Sequence, residues 1–236
     1  HTFSYSYFEN DRTDPNATVD VFKGDRNRFA YLATADLGAR FVLNFGADYT
    51  EESFVSGTTS GSEDNTSVNA ELLFAATDQI DLSAALRYDD NSTFSGEFTG
   101  RFAAVWRPSD DLTFRGVVGT GYRAPSLNER FGPFGADPLL TPEESLSFEL
   151  GAEKTFANGF IKATFFKTDI DDIIDYEFTG ERPCSCYTQV VGTSKSQGIE
   201  LSGKYDFGEN VNMFGAYTYV DAENPDGSRA GRIPRH

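Results

Sequence analysis

Histidine, cysteine, methionine and positive charge are all scarce in this sequence of 236 residues. Both histidines are terminal, His1 and His236, so the interior has no imidazole for a metal site, a Ser/His triad or acid–base catalysis. Lys and Arg number 20 against 37 Asp and Glu, which gives a net charge of −17. This composition excludes many enzyme classes, and the acidic balance argues against nucleic-acid binding.

Long apolar runs are also lacking, since no stretch approaches the roughly 18 continuous apolar residues of a membrane helix. With 39% hydrophobic and 14% aromatic residues, the chain is nevertheless too apolar to be disordered. The single methionine is Met213, and no charged-then-apolar leader precedes the first patterned stretch. We therefore expect a piece of a longer protein, and we exclude a helical membrane protein.

Apolar residues alternate with polar ones at period 2, and helical patterning is rare. In residues 41–49 one face carries Phe, Leu, Phe, Ala and Tyr while the other carries Asn, Gly and Asp, and residues 82–89, 145–153 and 201–207 repeat this pattern. The alternation predicts about eleven strands. They lie at 1–9, 28–37, 41–54, 66–76, 81–89, 98–106, 112–122, 143–156, 160–178, 188–207 and 211–222.

Short and long connections alternate between these strands. The short ones carry turn chemistry, such as Gly38-Ala39 and Asn158-Gly159, whereas the long ones include residues 10–27, 55–65, 123–142 and 179–187. An antiparallel up-and-down transmembrane β-barrel has this asymmetry, with tight turns at one end and long loops at the other. A soluble sandwich would explain the alternation but not the loop asymmetry.

Two groups of side chains favour a membrane barrel. Aromatic residues fall near predicted strand ends, where an interfacial girdle would lie: Tyr5, Tyr7, Tyr49, Trp106, Tyr122, Tyr217 and Tyr219. Charges on the opposite face suit a wet or plugged lumen better than a dry core: Arg87, Arg101, Arg115, Glu149, Lys162 and Lys204.

Several motifs were weighed as binding or catalytic sites. Residues 119–124 match a dinucleotide fingerprint, but Pro125 follows where a helix should begin, so this interpretation is set aside. The carboxylates of residues 169–175 alternate with Ile and fit an extended strand better than a glycosidase site.

A predicted loop holds the candidate calcium ligands Asp11, Asp14 and Asp20, although it lacks the Gly and Glu of an EF-hand. Cys184 and Cys186 suggest a short loop disulfide.

The middle of the chain carries a family signature. Residues 119–130 (GTGYRAPSLNER), 135–145 (GADPLLTPEES) and 149–151 (ELG) resemble the barrel motifs of TonB-dependent outer-membrane receptors, and the resemblance spans nearly the whole chain. Asp137, where the family usually has Asn, and the cysteine pair depart from its pattern. Residues 169–176, 198–200 and 217–222, with Gly192, look most like the cobalamin transporter within this family. Siderophore receptors share most of these motifs, so the ligand stays open.

The resemblance implies a barrel of about 22 strands closed by an N-terminal plug, of which residues 1–236 would form about half. It implies a location in outer-membrane lipid and uptake of cobalamin or a ferric siderophore, driven by the TonB complex through a plug absent from this chain. No enzymatic activity and no cofactor other than calcium are expected.

From loop chemistry alone, we select as candidate ligand contacts Arg123, Asn128, Arg130, Phe131 and Phe134. The alternatives are that these residues only cap the barrel rim, or that the chain is a passive porin or a soluble β-rich binding module.

Overall fold

The chain folds into one antiparallel sheet in which each strand pairs with the next along the sequence, from β1 to β11. A computed structural model describes residues 1–16, 21–178, 185–208 and 210–230. The strands are β1 (Thr2–Thr13), β2 (Val21–Asp36), β3 (Phe41–Ser56), β4 (Thr59–Ala75), β5 (Ile80–Asn91), β6 (Glu97–Ser109), β7 (Leu112–Arg123), β8 (Glu143–Phe156), β9 (Gly159–Phe178), β10 (Ser185–Phe207) and β11 (Val211–Glu223), with one helix, α1 (Leu127–Phe131). This is the predicted all-β, up-and-down architecture of a barrel fragment, and β1 and β11 are its two edges.

The apolar face of the sheet is exposed rather than packed in a core. Leu86 and Phe98 are 55% and 64% exposed, and the aromatic pairs Phe41–Phe74 and Trp106–Phe114 stack side by side on this surface. In a soluble protein such a large apolar surface would be buried. In a membrane barrel it faces lipid, as the alternation predicts. Among the described residues, no helix is long and apolar enough to span a membrane.

The opposite, lumenal face carries several of the ion pairs of the strands. Arg87 binds Asp48 and Asp89 on this face, and Arg115 binds Glu153 with an Nη1–Oε2 distance of 3.0 Å. These charges follow from the pleat, because successive residues of a strand point to opposite faces, so the set that alternates with the lipid-facing residues points into the lumen. The lumenal wall is therefore polar, as predicted.

The tight turns at one end of the sheet follow from their residues. Gly38 and Gly208 adopt positive φ angles of 97° and 73°, which residues with a Cβ atom seldom tolerate. At the turn between β4 and β5, the Thr77 hydroxyl accepts hydrogen bonds from the backbone N–H groups of Gln79 and Ile80. These connections confirm the predicted short turns.

Two of the predicted long loops are wrong, because residues 10–27 and 55–65 lie mostly in strands. β1 and β2 pair as far as Thr13 and Val21, and β3 and β4 turn tightly at Gly57, whose φ is +61°. Beyond the lipid both faces of a hairpin meet water, so the apolar alternation disappears although the backbone ladder continues. Cross-strand ion pairs support the extension, including Lys23 with Asp11 at 2.7 Å.

Candidate functional site

The connection between β7 and β8 is a folded segment, called here the α1 loop (residues 124–142). Its helix begins with a capping box in which the Ser126 hydroxyl accepts from the N–H of Glu129 at 3.2 Å. The Glu129 carboxylate in turn accepts from the N–H of Ser126 at 2.6 Å. This reciprocal pair explains why so short a helix forms after Pro125, which is fully buried.

The α1 loop packs on the β3–β4 hairpin at one side. The ring of Phe131 lies over Gly61, where a Cβ atom would be 2.7 Å from the Phe131 ring and 2.9 Å from that of Phe54. Phe54, Leu127 and Leu140 are 5%, 7% and 3% exposed, which places them among the few buried apolar side chains of the described chain. A small apolar core therefore fixes the loop on this hairpin.

At its other side the α1 loop is bound to β10. The N–H of Tyr187 donates to the carbonyl of Gly135 at 2.7 Å, and the side-chain oxygen of Gln189 accepts from the N–H of Thr141 at 3.0 Å. Gln189 also donates to the carbonyl of Asp172, next to a β-bulge. Because β4 and β10 are separated by five strands, the loop crosses the lumenal side of the curved sheet.

Arg123 joins the end of β7 to the helix and to the start of β8. Its guanidinium bonds the Glu143 carboxylate at 2.6 Å and the Glu129 carboxylate at 3.1 Å. Glu143 lies at the outer end of β8 and also accepts from the N–H of Ile174 at 2.7 Å. Partial burial opposes the charge of Glu143, but the bonds from Arg123 and Ile174 outweigh it and hold the pKa of this carboxyl below its usual value.

Beside the α1 loop, the lumenal wall of β2–β5 encloses a charged cavity of about 360 Å³. Four ion pairs lie in its wall: Arg26–Glu52 at 2.9 Å, Arg28–Asp48 at 3.4 Å, Arg87–Asp48 at 3.1 Å and Arg87–Asp89 at 2.7 Å. Its remaining lining residues are Thr50, Glu63, Asn65, Asn91, Tyr122 and Ala124. Tyr122 was expected in the aromatic girdle, and its position on this cavity corrects that interpretation.

Four of the five candidate ligand residues lie in the α1 loop, Arg123 ends β7, and the five differ in exposure. Phe134 is 53% exposed, whereas Arg130 is 7% exposed and Phe131 lies against Gly61. Arg123 is bound to two carboxylates, and the backbone carbonyl of Asn128 accepts from the N–H of Gly132 at 2.9 Å. Most of these side chains therefore hold the loop in place, and Phe134 is the one whose ring is largely free to meet a ligand.

The sequence reasoning missed the cavity wall. Arg26 and Glu63 lie in stretches predicted as loops, Glu52 lies near the end of the predicted strand 41–54, and Arg87 is predicted only as an isolated lumenal charge. The sequence does carry a signal for this wall. Residues two apart on a strand share a face, and both the pair Arg26 and Arg28 and the pair Arg87 and Asp89 have this spacing. The sequence does not show which charged residues of neighbouring strands lie side by side, because that depends on how far each hairpin extends.

The described residues cover only part of the metal and cysteine predictions. Asp11 is ion-paired with Lys23, the carboxylate of Asp14 accepts from the N–H of Asn16 at 3.1 Å, and Asp20 lies outside the described residues. Within the described ranges no group of three acidic, His or Cys side chains could hold a metal ion, so calcium remains a prediction. Cys186 is disulfide-bonded, but Cys184 lies outside the described residues and its pairing also remains a prediction.

Comparison with known proteins places this architecture in a family. Residues 1–236 match the family described as TonB dependent receptor-like, beta-barrel. The chain belongs to the TonB-dependent receptor β-barrel family. Proteins of this family lie in the bacterial outer membrane, which confirms the expected location, and the family consists of transporters rather than enzymes.

Solved receptors have the same fold at low sequence identity. The siderophore receptor PirA from Pseudomonas aeruginosa is 17% identical, with a TM-score of 0.76 over 86% of this chain and 43% of its own. The ferric enterobactin receptor PfeA from Pseudomonas aeruginosa, solved with enterobactin, is 16% identical, with a TM-score of 0.76 over 95% and 41%. The copper transporter OprC is 16% identical, with a TM-score of 0.74 over 98% and 44%. The chain thus spans less than half the length of these structures.

Proposed function

We propose that the full-length protein takes up a scarce nutrient across the outer membrane as a TonB-dependent receptor, and that the α1 loop contributes to its ligand site. The observation that supports this proposal is the position of the loop across the lumenal side, beside a charged cavity. A loop fixed at both flanks can present side chains to a ligand in a defined geometry with little loss of entropy on binding. The residues of this chain would bind and orient the nutrient, with no covalent step.

The ligand class we propose is a ferric siderophore, with cobalamin as the second candidate. The names of the solved relatives include siderophore and ferric enterobactin receptors, which favours the first class. The exposed ring of Phe134 suits a flat, conjugated chelate, which it could contact face to face. The motifs at residues 169–176 and 217–222 favour cobalamin. Membership of the receptor family favours active uptake over a passive porin or a soluble module.

The test is a binding titration of the purified full-length receptor against ferric enterobactin, a ferric hydroxamate chelate, ferric citrate and cyanocobalamin. We expect submicromolar affinity for one of them, and Phe134→Ala should weaken it about three- to ten-fold because a stacked ring contributes about 1 kcal/mol. Leu139→Ala is the matched control, since Leu139 is 83% exposed on the same loop but is not a candidate contact.

Two further variants are informative because their side chains are buried. Arg130→Ala and Phe131→Ala should also weaken binding, indirectly, by loosening the loop. If no ligand of the panel binds, the proposed ligand class is wrong. If a ligand binds and Phe134→Ala, Arg130→Ala and Phe131→Ala all leave the affinity unchanged, these residues only cap the rim.

A further inference from the structure

Arg130 is buried without a full set of hydrogen-bond acceptors. Its side chain is 7% exposed, one guanidinium nitrogen donates to the carbonyl of Pro138 at 2.8 Å, and the group lies 5.3 Å from the centroid of the Phe131 ring. Nε and Nη1 have no hydrogen-bond partner within the part of the chain that the structure describes. Leaving such charged donors unpaired in a buried position is costly, so a buried arginine of this kind calls for a nearby anion.

Glu63 is the matching unpaired carboxylate on the cavity wall. Three of the four carboxylates that line the cavity, Asp48, Asp89 and Glu52, are bound to arginines, whereas no described cation lies within 4 Å of Glu63. Its neutral partners are the Thr93 hydroxyl, which donates to it at 3.1 Å, and the Asn91 side chain. Glu63 is thus half-buried and held in place, but not neutralised by an ion pair.

The two unpaired groups lie on opposite sides of the boundary between the α1 loop and β4. Burial is the main reason that the pKa of Glu63, in the hairpin beyond the lipid, is raised; the charge of Glu52 adds to the rise and that of Arg130 opposes it. Phe131, next to Arg130, packs on Gly61, two residues from Glu63. The helix therefore rests on the strand segment that carries the carboxylate.

We propose that Glu63 is the positioning residue of the candidate ligand site, holding α1 over the cavity by attracting the Arg130 guanidinium toward the barrel wall. The positioning role rests on the proposed function in one respect: its consequence would be the correct placement of ligand contacts such as Phe134. The attraction is distinct from the apolar packing of Phe131 and Leu127, because it depends on the negative charge of Glu63 and not on its shape.

The experiment is hydrogen exchange measured by mass spectrometry on the purified full-length receptor, without ligand, at the amides of residues 127–132. Glu63→Gln preserves the shape and removes the charge, and we expect exchange to become about five-fold faster as the loop loosens. Arg130→Gln should give a similar change, and the double variant should add little to either single one because the two changes remove the same interaction.

The matched control is Glu51→Gln, since Glu51 lies on the same β3–β4 hairpin but points to the opposite face of the sheet and does not line the cavity. This variant should leave exchange at residues 127–132 unchanged. If Glu63→Gln has no effect, or if Glu51→Gln has the same effect, the positioning role is wrong. Should Arg130→Gln fail to fold, the comparison of Glu63→Gln with Glu51→Gln still tests the role of Glu63. Because no ligand is added, the result is independent of the binding titration that tests the proposed function.

Discussion

Asp89 shows how single residues make the lumenal wall stable. Its side chain is 1% exposed, and the Arg87 guanidinium meets it through two bonds, at 2.7 and 2.8 Å, while also reaching Asp48 at 3.1 Å. The Asn65 amide donates to Asp89 as well, at 2.9 Å. A buried carboxylate is tolerated only when charge and hydrogen bonds compensate for its lost water, and here one arginine compensates two carboxylates.

Replacing Arg87 by Ala should therefore destabilise the full-length barrel by about 3 kcal/mol, since two buried carboxylates would lose their shared cation. Arg107→Ala is the control, because the Arg107–Asp81 pair is about half exposed and a pair of that kind contributes at most about 1 kcal/mol. Urea-induced unfolding of both variants in lipid vesicles measures the difference. Equal effects of the two substitutions would contradict the assigned role of Arg87.

At the scale of elements, the part of each strand that faces lipid was predictable and the part beyond it was not. β8 was predicted with its observed bounds, Glu143–Phe156, because its apolar face meets lipid along most of its length. The outer halves of β1 to β4 have water on both faces, so stretches around residues such as Asp11 and Glu63 show no apolar alternation, and the sequence predicts loops there. The position of the α1 loop was equally hidden, since it depends on contacts with strands distant in sequence, such as Phe131 on Gly61.

The attachment of the α1 loop to β10 depends on Gly135. This residue has a φ of +65°, and a Cβ atom on it would lie 2.1 Å from the carbonyl oxygen of Ser185. Gly135→Ala should therefore break the hydrogen bond from Tyr187 and release the loop on that side, at a cost of about 2 kcal/mol.

Faster hydrogen exchange at residues 185–187, compared with the parent protein, would report this release. Gly215→Ala is the control, because nothing lies within 4 Å of a Cβ atom at that position and its φ is not positive. A loop that keeps its protection in Gly135→Ala would show that the contact with β10 is not required.

For the molecule as a whole, the barrel motifs identify the family because they encode barrel structure rather than ligand chemistry. Residues 119–124 form the outer end of β7 and the start of the α1 loop, and Glu143 and Glu149 belong to β8, so the quoted motifs describe how the wall is built. In the proposed function, the ligand is recognised by loop side chains such as Phe134, which lies between the quoted motifs. The net charge of −17 likewise has structural positions, in the outer hairpins and on the lumenal wall, where water meets it.

The open sheet leads to a prediction about residues 1–236 expressed alone. Every residue of β1 is exposed, and β1 and β11 each leave one row of backbone groups without a neighbouring strand in the described sheet. Lipid and detergent cannot satisfy such groups, so the isolated chain should pair through its edges and form oligomers or aggregates. The full-length receptor should instead be a monomer whose band shifts on heating in SDS gels, and light scattering would distinguish the two. A monodisperse, heat-modifiable monomer of residues 1–236 would show that the backbone groups at these edges find hydrogen-bond partners within the chain itself, which would contradict the prediction.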